Sequence, residues 1–297
     1  MTPADSAEEP LPGPAAAGPS GRTRIILLGT GTPNADPDRS GPSVAIVVDD
    51  QPYLVDFGPG VVRRAAAAQQ RGVEALDVAR LDVAFVTHLH SDHTAGYPDL
   101  WLTPWVLGRD RPLRVIGPPG LAEMTRHVRA AWAQDIRVRL EGREPINDAG
   151  HRIEAREVMP GEVHRDELVT VRAFAVTHGD WDHAYGYRFD TPDRSIVISG
   201  DTTPSDAVVQ ACDGCDVLIH EVYCRAALLR RQPRWRQYHQ ASHTSAPELA
   251  ALATRARPRL LILYHQLLWD SSADDLMAEL RAGYQGEVSW GHDLDVY

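Results

Sequence analysis

His88, His90, Asp92, His93, His178, Asp201 and His265 carry the donor atoms for a centre of two adjacent metal ions. Four of them fall in one run, Thr87-His88-Leu89-His90-Ser91-Asp92-His93-Thr94. Imidazole nitrogens and carboxylate oxygens suit zinc or a similar first-row divalent metal. In an extended segment side chains alternate with period two, so His88 and His90 share a face. A turn into helix after them would aim Asp92 and His93 at a neighbouring point, and one short stretch would then begin two metal sites. Ligand-type residues packed this densely are hard to explain as a surface loop that is merely rich in histidine.

The elements that must position these groups can be read from the pattern. An apolar run at residues 81–86 predicts a buried strand ahead of the ligand run. Further strand-like runs lie at residues 24–28, 44–48, 53–55, 113–116, 169–176, 195–198, 217–219 and 260–263. Helical spacing lies between many of them. Leu121, Met124, Val128 and Trp132 repeat at three and four and predict one apolar helix face. Ser245 and Glu248 have capping-box spacing, and Pro247 fits the first turn of a helix reaching about Ala256. Leu276, Met277 and Leu280 mark a last helix. Each metal-binding candidate falls at a strand end or just after one, where loops carry sites on a rigid frame. Strands alternating with helices predict an α/β fold of two packed sheets with helices outside.

The His-x-His-x-Asp-His run after a strand resembles the signature of the metallo-β-lactamase superfamily. The later landmarks follow in order: Val176-Thr177-His178, Ile198-Ser199-Gly200-Asp201-Thr202, and His265 after the apolar run 260–264. The resemblance reaches from Thr23 to Tyr297. It implies a single domain, residues 23–297, with the four-layer αββα sandwich of that family. It implies that His88, His90 and His178 hold one metal, that Asp92, His93 and His265 hold the second, and that Asp201 bridges. A bridging carboxylate, in place of a thiolate, is unlike most true β-lactamases. Asp56, in Leu54-Val55-Asp56-Phe57-Gly58-Pro59-Gly60, resembles a family aspartate that lies beneath the metals and anchors the ligand loop by hydrogen bonds.

Ile219-His220-Glu221 and Ser242-His243-Thr244-Ser245 are similar to motifs of ribonuclease Z and arylsulfatase-type enzymes. Leu28-Gly29-Thr30-Gly31-Thr32-Pro33 and Gly186-Tyr187-Arg188-Phe189 fit the same branch. The resemblance implies that Glu221 orients His243 and that His243 donates a proton; His220 supports that pair, and Asp92 serves catalysis as well as metal. Ribonuclease Z resembles a core with a long protruding arm between the Gly-Tyr-Arg segment and the bridging aspartate. Here only residues 190–195 fill that place, enough for a hairpin turn. The missing arm argues against transfer-RNA processing and makes arylsulfatase-like hydrolases the expected closer match.

Composition bounds the partners. The 297 residues are 43% hydrophobic, ample for a sizeable core. The formal charge of −11 opposes non-specific binding to a polyanion. All 30 basic residues are arginine. There is no apolar run of about eighteen residues for a membrane helix. Residues 1–22 are Pro-, Ala- and Gly-rich and read as a disordered tail without a secretion signal. The cytoplasm is the default location. Cys212, Cys215 and Cys224 offer no disulfide framework, and Cys212-Asp-Gly-Cys215 reads as a helix-to-strand turn. The expected partner is a small-molecule ester, with no membrane; nucleic acid is disfavoured and a homodimer is admissible.

The combined expectation is a dinuclear zinc-dependent hydrolase of small esters, sulfate ester or phosphodiester, acting by metal-bound hydroxide with His243 as general acid. Mn²⁺ or Fe²⁺ could replace zinc. Two metals about 3.5–4 Å apart can clamp an ester oxygen and acidify water. Alternatives on the same residues are a ribonuclease Z-like RNA phosphodiesterase, a lactone or thioester hydrolase, an iron-dependent oxidoreductase on the same fold, and a non-catalytic binding protein. Trp101, Trp105, Trp181 and His183 are candidates for the substrate wall. Arg225, Arg230, Arg231, Arg234 and Arg236 read as a solvated basic stretch, or as receivers of an anionic ester.

Overall fold

A computed structural model describes residues 21–297. Most of the expected tail, residues 1–20, lies outside the described residues; Arg22, at its end, pairs with Asp49 at 2.9 Å.

The first sheet holds β1 (Thr23–Gly29), β2 (Ser43–Val48), β3 (Gln51–Val55), β4 (Val83–Phe85), β5 (Leu113–Gly117) and β6 (Ile153–Glu157), in that spatial order. The second holds β7 (Gly161–Arg165), β8 (Thr170–Val176), β9 (Ala184–Asp190), β10 (Ser195–Ile198), β11 (Val217–Tyr223), β12 (Leu260–Leu267) and β13 (Val288–Trp290). The helices are α1 (Val61–Gln70), α2 (Ser91–Thr94), α3 (Tyr97–Val106), α4 (Leu121–Ala131), α5 (Ala133–Glu141), α6 (Asp206–Cys212), α7 (Arg225–Leu229), α8 (Pro233–Ser242), α9 (Ala246–Ala256) and α10 (Ala273–Arg281).

Period-two alternation sorts each central strand between two cores. In β1, Ile25 and Leu27 face the second sheet, while Ile26 and Leu28 face the helices. In β11, Val217 and Ile219 face the first sheet, and Leu218 and Val222 face helices α6, α9 and α10. The result is the expected αββα sandwich, with one apolar layer between the sheets and one under each helix layer. At roughly 25 cal/mol per Å² of apolar surface, these layers are the main driving force for folding.

Strand direction sets where the site can form. Strands β3, β4 and β5 run parallel, as do β10, β11 and β12, so β4, β10, β11 and β12 deliver their following loops to one edge. Tyr185 N donates to Thr87 O at 2.9 Å and Tyr187 Oη to Val86 O at 2.8 Å, joining the two sheets beside the end of β4.

The connection from β9 to β10 is the expected hairpin, closed by Thr191 N donating to Arg194 O at 2.9 Å. The capping box of Ser245 and Glu248 is present at the start of α9. Three readings need correction. Trp132 does not share the buried face of α4; it caps the helix end and is 43% exposed. Strands β6, β7, β9 and β13 had no strand expectation, because β6 and β7 carry charged, half-exposed residues and β13 is only 3 residues long. Cys212 and Cys215 form a disulfide across the turn from α6 to β11, their Cα atoms 4.7 Å apart; Cys224 is free and buried.

Candidate metal centre

The ligand run leaves β4 extended and turns at His90 (φ −61°, ψ 149°) into the short helix α2. His88 Nε2 lies 2.9 Å from His90 Nδ1, and His178 Nε2 lies 3.1 Å from the same atom. Asp201 Oδ2 stands about as far from both, 4.0 Å from His88 Nε2 and 3.9 Å from His178 Nε2. Beside this group, His265 Nε2 approaches Asp92 Oδ2 at 3.2 Å and His93 Nε2 approaches it at 3.5 Å. Asp201 reaches both groups, with His93 Nε2 at 3.5 Å and His265 Nε2 at 3.6 Å. The structure therefore brings all seven residues together, His88, His90, His178 and Asp201 in one group and Asp92, His93 and His265 in the next. A third set, Asp201, His243 and His265, overlaps them.

Local backbone explains how these side chains converge. His265 sits in β12 with φ +46°, where the pairing with β11 slips between Glu221 and Val222. Such a bulge turns a side chain out of the regular pleat, and here it turns His265 into the cluster. Gly200 has φ +62°, and a Cβ there would lie 2.6 Å from Tyr185 O. A glycine thus lets the loop carry Asp201 close under β9.

The surrounding hydrogen bonds orient the donors. Asp56 accepts from Thr87 N at 2.8 Å, from Thr87 Oγ1 at 2.9 Å and from His93 Nδ1 at 2.8 Å. These bonds link Asp56, itself at φ +61°, to both ends of the ligand run. His178 Nδ1 donates to Ser242 O at 2.7 Å, which leaves Nε2 facing the cluster. Trp181 donates its indole N–H to His90 Nε2 at 2.8 Å.

Glu221 is fully buried. Its Oε1 accepts from Thr244 N at 2.9 Å and Thr202 N at 3.3 Å, and lies 3.4 Å from His243 Nδ1. It therefore ties together the loops that carry Asp201 and His243. His220 points its Nδ1 to Glu221 O at 2.6 Å. Ring centroids of His243 stand 5.0 Å from His178 and 5.9 Å from His265.

Burial and charge act in opposite directions across the site. Burial pushes His88 well below the usual imidazole range, helped by the neighbouring His93. Burial also lowers His243, to about 4. For His93 burial acts downward too, but Asp201, Asp56 and Asp92 outweigh it and hold the imidazolium well above its ordinary value. Burial, aided by Asp201, raises the Glu221 carboxyl well above the carboxylate range.

The substrate-side expectations divide. Trp101 and Trp105 are not on the cleft. Both are fully buried in the core under the first sheet, their indoles donating to His151 O and Asn147 O at 2.8 Å. The helix turns them inward, against the sheet. Trp181, 37% exposed, does stand at the mouth. A cavity of about 320 Å³ opens there, lined by His90, His178, Gly179, Asp180, Trp181 and Tyr238. His183 lies near Tyr185, ring centroids 6.5 Å apart, and does not line this cavity. Tyr238 escaped the sequence reading; its place one helical turn and a residue before His243 is the only signal for it.

Among the described residues, the buried atoms at the cluster without a hydrogen-bond partner include His93 Nε2 and Asp201 Oδ1. Orphaned donor atoms cost free energy when buried, unless a ligand completes them. Divalent metal ions fit this nitrogen and oxygen set.

Fold and donor set together define a metallo-β-lactamase-fold hydrolase. A family model described as the beta-lactamase superfamily domain matches residues 52–266, and the chain belongs to that superfamily. A protein named ribonuclease Z from Mycobacterium bovis is 35% identical over 276 residues, covering 91% of this chain and 96% of that relative. A ribonuclease Z of Mycobacterium marinum matches with the same identity and coverage, 35%, 91% and 96%. Among solved structures, the short form of human tRNase Z shares the fold, with a TM-score of 0.69 at 22% identity, over 92% of this chain and 98% of that one. The metallo-beta-lactamase fold protein YhfI of Bacillus subtilis does so with a TM-score of 0.69 at 18% identity, over 93% and 98%. Among the described residues, no helix is long and apolar enough to cross a membrane.

Proposed function

We propose that this chain is a dinuclear metal-dependent phosphodiesterase of RNA, acting in the manner of ribonuclease Z. The observation that carries the proposal is the full donor set in a chain 35% identical to a ribonuclease Z over 96% of that relative's length. The reading replaces the small-ester expectation and reverses the view that nucleic acid is disfavoured. The short hairpin at residues 191–194 weighs less against RNA, since relatives carrying the ribonuclease Z name match this chain almost end to end.

His88, His90 and His178 would hold one ion, Asp92, His93 and His265 the other, and Asp201 both, within one domain formed by residues 23–297. Two divalent ions, when bound, supply charge stabilisation at phosphoryl oxygens and acidify water. Zinc is the default ion for these ligands. The protein's own groups do the rest. Asp56 fixes His93 and Thr87, so the ligand run keeps its shape when the ions enter. Asp92, oriented by His265, accepts a proton from the attacking water. His243 stands beside the cluster and delivers a proton to the leaving oxygen. Burial holds this imidazole below its ordinary range, so the proton it delivers is the one released from the attacking water through Asp92, and the reaction needs no outside acid. Glu221 holds the loop of His243 through Thr244 N. Proton transfer by a positioned side chain contributes about 10²–10⁴-fold.

The test is cleavage of a precursor transfer RNA by purified protein. Activity should vanish after chelation and return with a divalent metal. A metal-replete, folded protein that leaves the RNA intact would overturn the proposal.

A further inference from the structure

Between Glu221 and Glu248 the chain has no acidic residue, yet it carries Arg225, Arg230, Arg231, Arg234 and Arg236. In a chain of formal charge −11, this is a local block of positive charge. It occupies α7 and α8, and α8 leads directly into His243. Of the five arginines, Arg230 alone has a carboxylate partner, Asp270 at 3.1 Å, among the described residues. Arg231 and Arg234 lie instead over aromatic rings, 5.6 Å from Trp269 and 5.9 Å from Trp235.

Exposed aromatics gather at the same place. Among the described residues the conspicuously exposed ones are Trp132, Trp181, Trp235 and Tyr238, and the last three flank α8 and the cleft mouth. Trp235 is 41% exposed and Tyr238 43%. Their rings stand 6.0 Å apart, and Tyr238 lies 6.5 Å from His243. A row of rings thus leads from the open end of α8 to the metal cluster. Asp180, on the facing loop, lines the cleft with Tyr238 and would repel a phosphate chain toward α8.

We infer that α8 and its approach form a docking surface for single-stranded RNA next to the scissile phosphodiester. Bases stack on Trp235 and Tyr238, and phosphates pair with Arg231, Arg234 and Arg236. Unpaired bases splayed onto aromatic faces, with arginine along the backbone, are how proteins hold single strands. The surface would supply the grip that an arm supplies elsewhere, and the inference rests on the RNA reading above.

The test uses the full, metal-loaded chain and a labelled single-stranded RNA of about ten nucleotides, within the site sizes of single-strand binders. The variants are a triple charge reversal, Arg231→Glu with Arg234→Glu and Arg236→Glu, and separately Trp235→Ala. A control reverses the same number of charges on helices and turns over the other sheet, at Arg71, Arg129 and Arg143. The patch triple should weaken RNA binding by about 10²-fold and flatten its salt dependence by about two logarithmic units per decade. Trp235→Ala should weaken it about tenfold or more. Hydrolysis of bis(p-nitrophenyl) phosphate, too small to span from the cluster to Trp235 and the three arginines, should stay within about twofold. Equal weakening by the control triple, or RNA binding unchanged in folded patch variants, would overturn the docking surface while leaving RNA cleavage intact. Binding of RNA through the patch without any cleavage would uphold the surface and overturn the functional reading. A wild-type protein that binds no RNA at low salt would overturn both.

Discussion

Glu221 accepts the backbone N–H of Thr244 at 2.9 Å from a fully buried position, so the residue after His243 is tied to the end of β11. The same oxygen takes Thr202 N at 3.3 Å, next to Asp201. One carboxyl thus sets two loops, one on each side of the cluster.

Glu221→Ala should therefore destabilise the fold as well as the chemistry. Two buried N–H groups would lose their acceptor, at about 1–3 kcal/mol each. Glu221→Gln keeps an acceptor oxygen and should lose much less. Urea unfolding midpoints of the two variants check this. Equal stability of Glu221→Ala and the parent would contradict the stapling role.

Asp201→Ala should lose the second ion and nearly all activity, because Asp201 approaches both donor groups. Metal-replete parent protein should hold about two ions per chain. Elemental analysis checks both. A stoichiometry of one ion per chain, iron alone, would sink the dinuclear hydrolase.

His243→Ala should keep its metals but lose rate, by about 10²–10⁴-fold on diesters with a poor, basic leaving group. The loss should shrink with an activated nitrophenolate, which departs without a proton. Glu221→Gln should show a weaker form of the same pattern, and the two effects should not add, since the residues act as a unit. Equal losses for good and poor leaving groups would assign His243 to substrate binding. Loss of metal would assign it as a ligand.

Trp105→Ala should cost stability, about 3–5 kcal/mol for a fully buried tryptophan, with KM almost unchanged. A large rise in KM in the folded variant would restore Trp105 to the substrate wall.

Much of the fold and the donor set was legible in the sequence because the signals are local. The ligand run, the apolar strands before it and the capping box of Ser245 and Glu248 each occupy a few consecutive residues. What was misread depends on distant contacts. A tryptophan at position 101 or 105 looks the same in sequence whether its helix turns it to the core or to the cleft. The bulge that aims His265 arises from pairing with Glu221 and Val222, far away in the chain. Strands β6 and β7 lie toward the sheet edges, where charge is tolerated and the apolar alternation fades. The Cys212–Cys215 bond needs the meeting of α6 and β11, which spacing alone leaves open.

The central claim is that the reacting bond is an RNA phosphodiester. Its most direct test is kcat/KM for a precursor transfer RNA, measured beside aryl phosphodiester, aryl sulfate and lactone substrates on one metal-analysed sample at physiological salt. The RNA should be preferred over every small substrate by about 10²-fold or more. A folded, metal-replete protein that hydrolyses an aryl sulfate or a lactone better than the RNA would contradict the account.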